Sequence, residues 1–133
     1  EVPIVVLAQL NRETERREDK RPMMSDLRDA GALEQDADAI LLLHREHYYL
    51  KKQIDAGLTR KDKESSEDYA NRCSALLQRT QAAEGKADVL IPKNRQGPEG
   101  TCHLHFTNRT TWFRDTSEDE RSPAWVSTTE GGM

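Results

Sequence analysis

Two cations one residue apart, Lys93 and Arg95, stand just ahead of the turn signal Gly97-Pro98. On an extended segment, alternation puts both side chains on one face. There a lysine and an arginine can stabilise charge on a transferring phosphoryl group; the plain alternative is a solvated basic strand end. Gln9 follows the apolar run Pro3-Ile4-Val5-Val6-Leu7-Ala8. A neutral amide at a strand end can donate to a phosphate and accept from a water, although by residue type alone a bond to nearby backbone is the simpler reading. In Asp26-Leu27-Arg28-Asp29-Ala30-Gly31, Arg28 can pair with a phosphate, and main-chain N–H groups near Gly31 can donate to others because glycine permits close approach. The alternative there is an ordinary helix C-cap. His44 and His47, or His103 and His105, can in principle ligate a metal, but no acidic or cysteine companion stands at a known ligand spacing, so no metal site is expected.

These residues need elements to position them. Residues 3–8 and 39–43 are apolar runs that predict buried strands of a sheet covered on both faces, and 87–91 predicts a third strand. Residues 101–106 and 111–113 alternate about Asn108-Arg109, which predicts a β-hairpin packed by Trp112 and Phe113. The charge-dense residues 11–22 predict a mobile surface loop with one helical turn. Ser25 is a plausible N-cap for a short helix through Arg28, broken by Gly31, with another helical turn over 33–37. Between 46 and 85, Leu50, Ile54 and Leu58, then Tyr69, Cys73, Leu76, Leu77 and Thr80, recur at helical spacing. They predict two amphipathic helices joined by a turn from Gly57 to Ser66. Residues 116–133, rich in Ser, Thr, Glu and Gly, are expected to be a disordered tail.

Only 35% of the 133 residues are hydrophobic and 33% are charged, and the mean hydropathy is −0.91. That is polar for a self-sufficient globule. The chain opens at Glu1, directly before the first apolar run, which suggests a piece of a larger domain. The net charge of −4 gives no overall basic footprint for nucleic acid, so any such contact must come from a local patch or from several subunits around a shared channel. Cys73 and Cys102 lie far apart and follow no metal spacing, and reduced thiols in a cytosolic protein are the default reading. No run approaches the roughly 18 apolar residues of a membrane span.

Three blocks carry a resemblance: Val5-Val6-Leu7-Ala8-Gln9-Leu10-Asn11-Arg12, then Arg21-Pro22-Met23-Met24-Ser25-Asp26-Leu27-Arg28-Asp29-Ala30-Gly31-Ala32-Leu33-Glu34-Gln35-Asp36-Ala37-Asp38, then Lys93-Asn94-Arg95-Gln96-Gly97-Pro98. In this order the chain resembles the last third of the motor domain of replicative DNA helicases of the DnaB family. The resemblance implies an α/β fold: the C-terminal part of a RecA-like P-loop NTPase domain over residues 1–115, mainly parallel in its sheet, with a terminal β-hairpin. Residues 46–85 would be a helical-hairpin insertion, longer than the family's usual connection. Ligands in such sheets bind beyond the carboxyl ends of strands, which agrees with Gln9 as a γ-phosphate sensor. The resemblance implies Arg95 as an arginine finger and Lys93 as its partner, both reaching a neighbouring subunit's ATP. It also implies Arg28, Asp29 and Gly31 as a loop on single-stranded DNA, with Asp29 acting through its main-chain amide or a neighbouring loop. ATP and Mg²⁺ are the implied cofactors. A hexameric ring that translocates on single-stranded DNA at the replication fork, a primase and a helicase loader are the implied assembly, in the bacterial cytoplasm.

The sequence holds no G-x-x-x-x-G-K-[ST] loop, which the family places ahead of the first of these blocks. By itself this chain is expected neither to hydrolyse ATP nor to unwind DNA. Two rivals share many of these features: another RecA-like ATPase of recombination or repair, against which the long second block argues, and a non-catalytic DNA-binding or oligomerisation module derived from such an ATPase.

Overall fold

In the computed structural model, the described residues are 2–27 and 30–116. The elements run α1 (Glu13–Arg16), a single 3-10 turn (Met24–Asp26), α2 (Ala30–Asp36), β1 (Ala39–His44), α3 (Glu46–Asp55), α4 (Ser66–Ala82), β2 (Lys86–Asn94), β3 (Gly100–Thr107) and β4 (Trp112–Asp115). One sheet has the order β1-β2-β3-β4. Residues 95–99 join β2 to β3, and a connection this short can link only antiparallel neighbours. β3 and β4 pair antiparallel, with His105 opposite Arg114 and Phe106 opposite Phe113. The chain divides into two units. One takes in the described residues up to His44 together with Val89–Cys102; the other takes in Arg45–Asp88 and the described residues from His103 onward.

In the first unit, β1 alternates strictly: Ile40, Leu42 and His44 are buried, whereas Leu41 and Leu43 are 64% and 51% exposed. The all-apolar run suits a strand covered on both faces, and here one face is covered. The strand expected over 3–8 does not form. Residues 2–9 have no regular structure, and Leu7 is 95% exposed. An apolar run becomes a strand only when a neighbour takes its backbone hydrogen bonds. Among the described residues nothing pairs with this one until Leu10 bridges Leu27 in antiparallel sense.

The charged stretch after it contains the one expected helical turn, α1, and is laced by its own hydrogen bonds. The Asn11 N–H donates to the Asp26 carbonyl at 2.7 Å, and the Asn11 carbonyl accepts from the Thr14 hydroxyl at 3.0 Å. The Arg17 guanidinium meets both Asp26 carboxylate oxygens at 2.9 and 2.7 Å. The Met23 N–H donates to the same carboxylate at 2.8 Å. Burial alone would raise the Asp26 carboxyl, but Arg17, the Met23 amide and Thr14 outweigh it and hold it below the usual carboxylate range. Ser25 is therefore no cap. It lies inside the 3-10 turn, and Asp26 closes that turn onto the Met23 amide.

In the second unit, α3 and α4 form the expected helical pair and pack together. Leu58 falls outside both helices. The Ser65 hydroxyl oxygen caps α4 by accepting from the Asp68 N–H at 3.0 Å, one of the amides a helix start leaves unpaired. The loop before it is tied down: the Tyr69 hydroxyl donates to the Leu58 carbonyl at 2.7 Å, and Arg72 donates to the Thr59 carbonyl at 2.9 Å and to both Glu64 oxygens. Arg45 stacks 3.6 Å above the Phe106 ring and donates to Asn108 Oδ1 at 2.7 Å. Phe113 packs on Phe106 with ring centres 4.7 Å apart. Trp112 is 66% exposed and does not pack the hairpin as expected, because its place opposite Thr107 leaves it at the hairpin's end. The expected tail lies, from residue 117 onward, outside the described residues. No described helix is long and apolar enough to cross a membrane.

Candidate functional site

An α-helix ends with carbonyls that have no partner inside it. α2 is seven residues long and ends at Asp36, and no basic residue lies in its last turn. The cations arrive from the end of β2 instead. The Lys93 ammonium donates to the Glu34 carbonyl and, at 3.3 Å, to the Gln35 carbonyl. Arg95 donates through Nη2 to the Gln35 carbonyl and through Nη1 to Asp38 Oδ1 at 3.0 Å. Its main-chain N–H donates to the Asp38 carbonyl at 2.8 Å. Positive charge at a helix C-terminus also meets the negative end of the helix dipole.

The arrangement holds both cations without using them up. An ammonium has three N–H donors and a guanidinium has five. Lys93 commits two of its donors to α2. Arg95 commits two to Gln35 and Asp38, which leaves three without a partner among the described residues. The Arg95 side chain is 50% exposed and its Asp38 partner 76%. An ion pair this open contributes only about 0–1 kcal/mol to stability, so its effect is orientation.

The turn after Arg95 is shaped by Gly97. A Cβ there would come within 2.7 Å of the Asn94 amide nitrogen, and that amide group accepts from the Gln96 N–H at 3.3 Å and donates to the Pro98 carbonyl at 3.3 Å.

Lys93 and Arg95 are thus brought together. Gln9 is exposed and follows no strand, which corrects its expected place at a strand end. No hydrogen bond among the described residues joins it to Lys93 or Arg95. It does sit one residue before the Leu10–Leu27 bridge. Gly31 lies inside α2 and does not end a helix, and a Cβ there would meet nothing within 4 Å. Arg28 and Asp29 lie outside the described residues. Asp38 and the α2 carbonyls were missed by sequence reading. A backbone carbonyl has no sequence signal, and Asp38 is 57 residues from Arg95.

His103 Nδ1 lies 2.7 Å from Asp88 Oδ1, and His105 Nδ1 lies 3.3 Å from the Gly85 carbonyl. Among the described residues no three His, Cys, Asp or Glu side chains gather as a metal site would require.

Residues 1–115 match the family described as DnaB-like helicase C terminal domain. The chain is 38% identical over 112 residues to a replicative DNA helicase DnaB of Rickettsia bellii, covering 84% of this chain and 21% of that protein. It is 34% identical over 125 residues to one from Helicobacter pylori, covering 90% of this chain and 26% of that protein. Among solved structures, a DnaB-like replicative helicase studied with its primase matches at a TM-score of 0.55 and 38% identity, over 82% of this chain and 20% of that one. A second, an ATPase domain, matches at 0.54 and 38%, over 82% and 28%. The fold is that of a C-terminal part of an α/β RecA-like domain. The chain belongs to the DnaB-like helicase C-terminal domain family, and it spans about a fifth to a quarter of the length of these relatives.

Proposed function

We propose that this chain is the part of an ATP-dependent replicative DNA helicase that completes a neighbouring subunit's nucleotide site and grips single-stranded DNA. The observation that carries the reading is the pair Lys93 and Arg95, held side by side on α2 with N–H donors to spare. In a ring of like subunits, of which six is the number the family suggests, these donors face the γ-phosphate of the adjacent subunit. They stabilise the negative charge that builds on it as the bond to the leaving phosphate breaks. Gln9, in this reading, touches the γ-phosphate bound by its own subunit. The Leu10–Leu27 bridge connects it to the Arg28–Gly31 segment on DNA. Arg28 pairs with a phosphate and fixes position without reading sequence, which suits a motor that steps along any base. Asp29 contributes through its main-chain amide.

The triphosphate cradle lies, in this proposal, in the part of the protein outside this chain. So, in the same proposal, does Mg²⁺, which would neutralise phosphate charge there. A primase is a fitting partner because a solved relative is described with its primase, and a helicase loader is proposed from family membership alone. The α3–α4 hairpin is proposed to be an outward addition to the motor. A bacterial cytoplasmic protein acting at the replication fork is the setting this implies.

The test is ATP hydrolysis by the full-length protein with single-stranded DNA. Arg95→Ala is expected to slow turnover by about 10³-fold or more while ATP still binds. Turnover at the unsubstituted rate would remove the finger. In the same protein Arg28→Ala is expected to weaken DNA binding alike for all sequences and to reduce the salt slope by about 0.7.

A further inference from the structure

We infer that Asp38 is a positioning residue for the phosphoryl-transfer site, setting the plane and reach of the Arg95 guanidinium from just beyond the end of α2. This rests on the reading of Arg95 above and adds to it a residue with no contact to nucleotide. Three hydrogen bonds fix Arg95: its own N–H to the Asp38 carbonyl at 2.8 Å, Nη1 to the Asp38 carboxylate at 3.0 Å, and Nη2 to the Gln35 carbonyl. Two of the three end on one residue. Asp38 therefore holds both ends of a long side chain, the main chain at its root and the guanidinium at its tip. An arginine left to itself samples many rotamers, and ordering it has an entropic cost at the moment of reaction. Here that cost is met in advance, and three of the side chain's five donors stay without a partner among the described residues. Lys93 is set by the same helix end through the Glu34 and Gln35 carbonyls, so a displacement of α2 moves both cations together. α2 begins at Ala30, within the Arg28–Gly31 segment proposed to grip DNA. The same short helix thus joins the DNA-facing segment to the phosphate-facing cations.

Removing the carboxylate should leave the fold intact, because Asp38 is largely exposed, and should leave ATP binding intact, because in this inference Asp38 acts only through Arg95. It should lower the chemical step. In the full-length protein, steady-state ATP hydrolysis with saturating single-stranded DNA would be measured for Asp38→Ala, Asp38→Glu, Arg95→Ala and the double variant Asp38→Ala/Arg95→Ala, with thermal melting and assembly state recorded for each. Asp38→Ala is expected to lower kcat by about tenfold, the scale of one charge-assisted hydrogen bond, with KM within about twofold. Asp38→Glu is expected to recover most of the loss. The double variant should be no slower than Arg95→Ala alone, because a positioning residue has nothing left to position. A wild-type kcat in Asp38→Ala, or a double variant slower by the full product of the two losses, would overturn the inference while leaving Arg95 in place. If Arg95→Ala itself hydrolyses at the wild-type rate, the finger reading fails first. If Asp38→Ala melts early, Asp38→Ser decides: it removes the carboxylate and leaves a polar side chain one bond shorter, and a wild-type kcat with normal melting would also overturn the inference.

Discussion

At the scale of single residues, the chain relies on carboxylates that meet arginines from 8 to 57 residues away in sequence. Asp26 does this for Arg17, Glu64 for Arg72, and Asp38 for Arg95. The three differ in burial and so in effect. Asp26 is 4% exposed and bolts a charged loop in place; Asp38 is open to solvent and orients a side chain. Glu64 stands between them. The hydrogen bond from Arg72, helped by the Lys61 N–H, lowers its carboxyl from 4.5 to about 2. A folded-state value below the unfolded one means the interaction is fully present above 4.5 and is lost as pH falls from there toward 2. The carboxyl-carbon resonance of Glu64 is therefore expected to titrate well below that of an ordinary glutamate, and Glu64→Gln should remove this part of the acid sensitivity of the α3–α4 loop. A midpoint at the ordinary value would show that the Arg72 contact does not persist in solution. None of these pairings was legible beforehand. Opposite charges are scattered throughout this chain, and nothing in their spacing marks which of them meet.

At the scale of elements, hydrophobic periodicity located β1, β2, the β3–β4 hairpin and both long helices, because period two and period 3.6 record which face is covered. The same reasoning misjudged residues 3–8, since an apolar run looks alike whether or not a neighbour takes its hydrogen bonds. It also misjudged Gly31, because glycine near a helix signals an end more often than an interior. In α2 that glycine weakens the helix by roughly 0.5–1 kcal/mol relative to alanine, and the open space around it would admit a methyl group. Gly31→Ala should therefore leave the full-length protein as stable or slightly more so. If a DNA phosphate approaches the backbone there, the same change should weaken single-stranded DNA binding by roughly tenfold, about one hydrogen bond's worth. Equal affinity in the two proteins would take Gly31 out of the DNA site. For the candidate site, Lys93 and Arg95 were recognisable from type and spacing. The helix end that receives them was not, because its contribution is backbone.

At the scale of the whole molecule, the open apolar faces are informative. Leu41 and Leu43 on β1, and Val5 and Leu7 ahead of it, are left in water, where burial would gain about 25 cal/mol per Å². Leu41 and Leu43 form an uncovered face of β1, whereas Val5 and Leu7 belong to no strand; both fit a chain that spans about a fifth to a quarter of its relatives. The central claim is that Arg95 works on a nucleotide held by another subunit. It predicts a property that no single subunit has, namely that a defective copy harms its neighbour. The direct measurement mixes full-length wild-type and Arg95→Ala subunits at increasing proportions and follows ATP hydrolysis with single-stranded DNA after the rings have exchanged. If the arginine acts across the interface and the ring hydrolyses in turn around its sites, activity should fall well below the straight line joining the two pure proteins. A straight line would contradict coupled action in trans, and Arg95→Ala rings as active as wild type would contradict the site altogether.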